Sequence, residues 1–346
     1  MLLTRQDFEL EPPPWLIDDW FPLGHRCMDT SPEGSFKTML GCWISICVAS
    51  GSPIFGKSTY QGNVLIVDEE TPKTSLEYHL ERFSRGVGYD YKDLPIYVLS
   101  MEGFRFGRKT AMEKLLKVVK TVNPVFIRMD SLLAMLPSGR QHFSENSDSL
   151  GEAIRDDLNQ LLSVDRTILL AAHSKKFIAE ATMDELKEHE MQTIVRGHSS
   201  IVGEGCDTGF VLKKISEHPL PTRFCVMTRV RRQAIPSKHL RHIEMVEEEY
   251  GKGWAQLKEI PIEKLPPSEM AVELFKVFKI PDKKGNYNHT SRWIRDTCAL
   301  NSQKQCRIGL KELIGRHVVT ETGPQSYEIN WRRAAECDPD YLKMLG

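Results

Sequence analysis

From Leu23 to about Lys214, short apolar runs alternate with longer stretches in which polar and apolar residues mix. The runs are "HRCM", the weakest, then "NVLIVDEE", "PIYVLS", "PVFIRMD", "TILLAAH" and "TGFVLKK". Between them the pattern predicts helices over residues 37–50, 74–85, 109–121 and 147–162. Strands alternating with helices of this length imply βαβ units, hence an α/β fold with a mostly parallel, helix-covered sheet. Two further runs, "RFCVMTRVR" and "HLRHIEMVEEE", follow without an intervening helix and suit an antiparallel extension of that sheet.

The two ends depart from this alternation. Residues 1–22 read as an extended lead-in, Pro-rich at 12–14, with Trp15, Trp20 and Phe21 clustered behind the prolines. Residues 23–257 form the α/β domain, and 258–268 a Pro- and charge-rich linker. Residues 269–346 change character: helices near 269–278, 291–300 and 302–315 precede "HVVTETGPQSYEINW", two β-rich runs around a Gly-Pro turn. Three helices and a hairpin describe a small winged helix-turn-helix domain. Two domains suit a chain of 346 residues.

Composition adds little to this division. A net charge of -1, 40% hydrophobic and 27% charged residues are ordinary for a globular protein. No apolar run reaches the ~20 residues that span a bilayer. The N-terminus carries acids and prolines where a signal peptide has a basic start and an apolar stretch, so a cytoplasmic protein without a membrane partner is expected. The eight cysteines show neither Cys-x-x-Cys nor zinc-finger spacing and are expected to be reduced thiols without a structural metal.

Candidate chemistry begins with two competing stretches. "GSPIFGKS" (residues 51–58) matches the phosphate-loop pattern G-x-x-x-x-G-K-[ST] at every required position. Such a loop must leave a strand and open a helix, so that backbone N–H groups and the positive helix end converge on the anion. "GSPIFGKS" instead follows a predicted helix and leads into a strand, so Gly51 reads as a helix C-cap, Gly56 as a turn residue and Lys57 as no phosphate ligand. "SPEGSFKT" lacks the outer glycines but has the right context, a short strand before it and the helix 37–50 after it. Its residues Ser31, Pro32, Glu33, Gly34, Ser35, Phe36, Lys37 and Thr38 are the candidate ATP-binding loop. Lys37 is suited to the β- and γ-phosphates, and the Thr38 hydroxyl to Mg²⁺. A side chain at Phe36 is expected to require a backbone that avoids positive φ and a ring turned from the phosphates. Taken alone, the stretch reads equally well as a Pro-Glu-Gly turn capping a helix.

Stations downstream favour the nucleotide. "PVFIRMDS" ends in Asp130, a candidate metal-binding carboxylate reached through water. "NVLIVDEET" ends in three acids, one of which is suited to polarise an attacking water. "TILLAAHSKK" ends in His173, a polar group suited to sensing a γ-phosphate, although as an isolated residue it reads as a structural histidine. Ligands of parallel sheets bind beyond the carboxyl ends of the strands, so these stations are expected to meet on one edge.

On these residues the chain resembles the RecA-like P-loop ATPases of the RepA type, a family of plasmid and phage hexameric replicative helicases. The resemblance runs from about Trp15 to Met245 and rests on "WLIDDWFPLG" before "SPEGSFKT", "GSPIFG", "VLIVDEETP", Asp130, "RGHSSIVGEGCDTGFVL" and "MTRVRR". It implies Glu70, next to "TP", as the catalytic glutamate in preference to Asp68 or Glu69, Asp130 as the Walker B aspartate, and His173 as the sensor. "MTRVRR" is similar to an element that reaches a neighbour's nucleotide, with Arg229 in place of its lysine and Arg231 as the arginine finger. Ser31, Phe36 and Arg229 depart from the family pattern.

The same resemblance makes the loops after Asp130 and His173 the grips on single-stranded DNA in a ring pore, with Arg140, Lys175 and Lys176 as the basic contacts. In the C-terminal domain a basic stripe suits a duplex backbone, and Gln303, Lys304, Arg307 and Lys311 fall on the presumed recognition helix. The expected function is an ATP- and Mg²⁺-dependent DNA motor, a ring-forming, hexameric helicase of a mobile element. The alternatives are an ATP-switched winged-helix initiator or regulator with little hydrolysis, and a RecA-like recombination or annealing ATPase.

Overall fold

The computed structural model describes residues 14–137, 148–175, 206–216, 222–230 and 237–260, with shorter stretches between 278 and 329. The chain divides into two compact units, Met1–Glu259 and Ile260–Gly346. In the first, β1 (Trp15–Ile17) and β2 (Phe21–Pro22) form a small antiparallel pair ahead of β3 (Arg26–Ser31) and α1 (Lys37–Ser50). There follow β4 (Val64–Asp68), α2 (Lys73–Val87), β5 (Ile96–Ser100), α3 (Lys109–Val122), β6 (Phe126–Asp130), α4 (Asp148–Leu161) and β7 (Thr167–His173). The unit closes with β8 (Thr208–Ser216), β9 (Arg223–Val230), β10 (Ser237–Glu249) and β11 (Lys252–Glu259).

Nine strands make one sheet in the order β11-β10-β9-β8-β3-β7-β6-β4-β5. The six from β8 to β5 are parallel, and β9, β10 and β11 continue antiparallel from β8. Side chains alternate across each strand, so the sheet buries both faces. Val64, Ile66 and Phe126 pack on one side with Leu40, Ile44 and Val48 of α1 and Leu76, Leu80 and Phe83 of α2. Leu65, Val67, Ile127 and Met129 pack on the other with Met112, Leu115 and Val119 of α3 and Ile154, Leu158 and Leu161 of α4. Among the described residues, no helix is long and apolar enough to cross a membrane.

Three features differ from what the hydrophobic pattern predicts. The weak run "HRCM" is the middle of the sheet: β3 extends through Ser31 and all six of its residues are buried. Its outer half, Asp29-Thr30-Ser31, is polar, with Asp29 and Ser31 on the face of the site described below, so an apolar count cannot find it. Trp15–Pro22 is no lead-in. Trp20 and Phe21 are 1% exposed, Phe21 stacks on Phe210 at 4.3 Å, and Trp20 Nε1 donates to Thr228 Oγ1 at 2.8 Å. Finally, "KGWAQLKE" forms β11, which runs into the expected linker and pairs with β10.

The second unit contributes a three-stranded sheet, β12 (Asn288–Thr290), β14 (Ser326–Ile329) and β13 (Val319–Gly323), in that order. The expected hairpin is there, with Gly323 opposite Ser326. The three expected helices lie outside the described residues apart from isolated positions.

Removing a fully buried indole costs about 3–5 kcal/mol where the cavity cannot collapse. Trp20→Ala is therefore expected to lower unfolding free energy by about that amount, measured by urea denaturation. A loss under ~1 kcal/mol would return residues 15–22 to the status of a loose leader.

Candidate functional site

The carboxyl edge of the parallel strands carries one row of acids. Asp68 of β4 pairs with Asp130 of β6, and Asp29 of β3 pairs with Ala171 of β7. Met129 pairs with Leu170, which brings Asp130 level with Ala171. Asp68, Asp130, Ala171 and Asp29 thus stand side by side across four strands. The alternation that sends Val64, Ile66 and Phe126 toward α1 sends these carboxylates there too. Asp29 and Asp68 are each 1% exposed and Asp130 is 3% exposed. Burial, reinforced by the charge of Asp130, pushes the Asp29 carboxyl above its usual range and Asp68 up to about 6.

Arg128 answers this negative charge. It lies two residues before Asp130 on the same face of β6 and is 2% exposed. Nη1 donates to Asp29 Oδ2 at 3.0 Å, while Nη2 donates to Asp130 Oδ2 at 3.0 Å and to the Lys37 carbonyl at 3.2 Å. The fork thereby joins β3, β6 and the first turn of α1. Its path is cleared by Gly41 of α1, where an added Cβ would meet Arg128 Nε at 2.1 Å.

The phosphate-loop candidate sits above the row. Gly34 has φ +70 and open space where a side chain would stand. Phe36 is the N-cap of α1 at φ 65, ψ 18, and supplies no side-chain cap. The sequence expectation that Phe36 avoids positive φ is therefore wrong, and the reason is its ring. Half-buried, the ring leans into the core against Phe224 of β9, centroids 5.6 Å apart. Left-handed backbone costs a non-glycine residue roughly 1–2 kcal/mol, and burying a phenyl group contributes about as much or more. With no capping side chain, the amides opening α1 remain available to an anion.

Lys37 is 8% exposed, and its ammonium donates to Ser31 Oγ at 2.9 Å and to the Ser31 carbonyl at 3.3 Å. Burial lowers its pKa, against the opposing pull of Asp29, Asp130 and Glu70. Thr38 Oγ1 donates to Asp130 Oδ2 at 3.1 Å. Asp29 Oδ1 and Asp68 Oδ2 are buried without a hydrogen-bond partner. Hard oxygen donors beside a loop of open amides fit a nucleotide with its magnesium.

The three acids ending β4 have separate environments. Asp68 Oδ1 accepts from the amides of Glu70 at 2.9 Å and Thr71 at 2.6 Å, closing the turn. Glu69 is consumed by the neighbouring loop, accepting from the Gly103 and Phe104 amides and from Arg105 Nη1, each at 3.0 Å. Glu70 keeps 47% of its side chain exposed, and His173 Nε2 lies 3.8 Å from its Oε2. The proximity of His173, against some desolvation, and then that of Ser131 and the charge of Lys37, lower Glu70 to about 2. His173 Nδ1 is buried without a hydrogen bond.

The row thus gathers Ser31, Lys37, Thr38, Glu70, Asp130 and His173. Lys57 lies elsewhere: the 14-residue α1, about 20 Å long, carries the chain to the amino ends of the strands before Lys57 is reached. There Lys57 pairs with Asp19 at 2.7 Å. Lys175 is exposed just beyond β7. Arg229 lies on β9 opposite Gly209 and Lys238. Arg140, Lys176, Arg231, Gln303, Lys304, Arg307 and Lys311 fall outside the described residues. Sequence reasoning missed Arg128, Asp29 and Gly41, although an arginine inside the apolar run "FIRMD" is a signal that a buried counter-charge is needed.

Two expectations follow. Phe36→Gly removes the ring and the strain together, whereas Phe36→Ala removes the ring and keeps the strain. Stability by urea denaturation should fall in the order wild type, Phe36→Gly, Phe36→Ala, the last two separated by about 1 kcal/mol. Asp68 has a folded pKa raised to about 6 from 3.8, so between these values the unfolded chain is ionised while the folded one holds the proton. Its contribution to stability consequently falls as pH rises through that window and stays low above it. Asp68→Asn should gain on wild type by on the order of 1 kcal/mol between pH 5 and pH 7.5, measured by denaturation at both.

Comparison with known proteins adds the family. No curated protein matches the sequence. Among solved structures, a KaiC-like protein of the hyperthermophilic archaeon Pyrococcus horikoshii is similar at 16% identity and a TM-score of 0.48, over 71% of this chain and 94% of that one. A profile described as AAA domain (AAA_25) matches residues 2–177, a span that takes in β1 through β7 and every gathered residue of the row. That match covers more than half of the 346 residues, and the chain belongs to the AAA domain family.

Proposed function

We propose that this AAA-domain protein is an ATP- and magnesium-dependent DNA motor, a ring-forming, RecA-like helicase of the RepA type. The observation that carries the ATPase part is the meeting of Lys37, Thr38, Asp130, Glu70 and His173 on one sheet edge, under a loop with open amides. The DNA part rests on the resemblance in sequence and on the basic composition of residues 283–316.

In this reading the amides of Gly34 to Lys37 cradle the phosphates, and Lys37 exchanges its two Ser31 acceptors for phosphate oxygens. Thr38 and Asp130 would hold magnesium, whose charge would offset that developing on the transferred phosphoryl group. Glu70 orients the attacking water. A carboxylate held at about 2 is ionised at any working pH but is a feeble base, so weakening its pairing with His173 makes it a better proton acceptor. His173 thereby links the state of the site to the loop that begins at Ser174 and Lys175. Arg231, with Arg229 beside it, completes the site of a neighbouring subunit, which makes a hexamer the working form. The pore loops, through Arg140, Lys175 and Lys176, grip single-stranded DNA, and the winged helix, through Gln303, Lys304, Arg307 and Lys311, meets duplex.

Steady-state ATP hydrolysis with and without single-stranded DNA tests this. Wild type should be stimulated by the DNA. Lys37→Ala and Glu70→Gln should lose on the order of 10²-fold or more, and Arg231→Ala on the order of 10³-fold. Lys57→Ala should match wild type. A wild-type protein that binds ATP yet barely turns over on any DNA would sink the motor and leave an ATP-switched, DNA-binding initiator.

A further inference from the structure

We propose that Arg128 is a positioning residue that aims the Asp130 carboxylate at the magnesium of bound Mg–ATP and locks that aim to the phosphate loop. The inference rests on the ATPase reading above and adds a residue that neither the motifs nor the resemblance include.

Three observations carry it. First, a single guanidinium group touches both elements that the reaction must align: Nη2 donates to Asp130 Oδ2 and, through the Lys37 carbonyl, to the first turn of α1. Thr38, one residue on, donates to that same Asp130 oxygen. Arg128 and Thr38 therefore fix one oxygen of Asp130 from two sides and so set the direction of the other.

Second, the neighbours are built around it. Gly41 stands where any Cβ would collide with the Arg128 side chain, and small Ala171 stands in the row between the two carboxylates that the fork joins. β3 and β6 are not neighbours in the sheet, since β7 runs between them. Only a long, forked cation bridges that gap. Lysine presents a point charge and can satisfy one carboxylate with good geometry, not both.

Third, the cost argues against a role in stability alone. Taking a guanidinium and two carboxylates out of water is expensive, and a buried ion-pair triad is often matched or bettered in stability by apolar residues of similar volume. Asp29 makes the point: it is 1% exposed, its Oδ2 holds Arg128, and its Oδ1 has no partner. Asp29 anchors the far arm of the fork, leaving the near arm to Asp130 and α1.

The test uses Arg128→Lys, which keeps the charge and loses the fork, and Gly41→Ala, which keeps Arg128 and pushes it aside. The full chain is titrated with a fluorescent N-methylanthraniloyl ATP analogue, first in EDTA and then at rising Mg²⁺, and folding is followed by thermal denaturation. Displaced second-layer partners typically weaken metal binding 10–100-fold. Both variants are expected to bind the analogue in EDTA within about threefold of wild type, while the Mg²⁺ concentration that half-saturates the signal rises about tenfold or more. Folded variants with an unchanged Mg²⁺ requirement overturn the inference, as does loss of folding in both, which assigns Arg128 to stability. Wild type that fails to bind the analogue at all removes the ATPase reading itself, and the inference with it.

Discussion

Three carboxylates in one row of a buried sheet, with one guanidinium fork between two of them, set the conditions for everything around the phosphate loop. Coulomb repulsion between adjacent buried acids is severe in a low-dielectric interior. The protein resolves it in two ways. Asp29 and Asp130 share Arg128, whereas Asp68 is held by two backbone amides and is pushed toward its protonated form. The edge is therefore graded, from two charges paired through Arg128 beneath the loop to a carboxyl beside Glu70 that takes up a proton more readily than usual.

The packing around the β1–β2 pair follows a different logic. There the aromatic residues Trp20, Phe21, Phe55 and Phe210 fill the space between the β1–β2 pair and the strands. The loop that mimics a phosphate-binding motif packs on this cluster and holds its lysine in an exposed ion pair. Such a pair contributes roughly 0–1 kcal/mol and requires no ligand to explain it. The cluster reaches the flank of the acid row itself, since Phe210 of β8 pairs with Asp29 of β3, while Lys57 stays at the amino ends of the strands.

How much of this could be read from the sequence varies with the physical signal. The helices and the apolar strands announce themselves by composition, and α1 spans the predicted residues 37–50. The middle strand does not, because half of β3 is polar and its burial is decided by neighbours distant in sequence. Glu69 and Glu70 are identical letters, and only the fold shows that one is tied to the Gly103 and Phe104 amides while the other faces outward. Arg128 was visible as an oddity in an apolar run, but its meaning depends on Asp29, nearly a hundred residues earlier in the chain. For Phe36 the sequence led to the wrong backbone: reasoning from steric cost alone overlooks a side chain able to offset that cost by burying itself.

Phe36 also alters how the loop relates to the rest of the molecule. A glycine at this position would have no side chain to tie the loop to the core. Here the loop has a root in the core, on the strand that carries Arg229, so it cannot loosen without drawing Phe36 away from Phe224. Local opening of the loop is thereby merged with opening of the core, and the entropic cost of shaping the loop is met during folding rather than at each encounter with nucleotide.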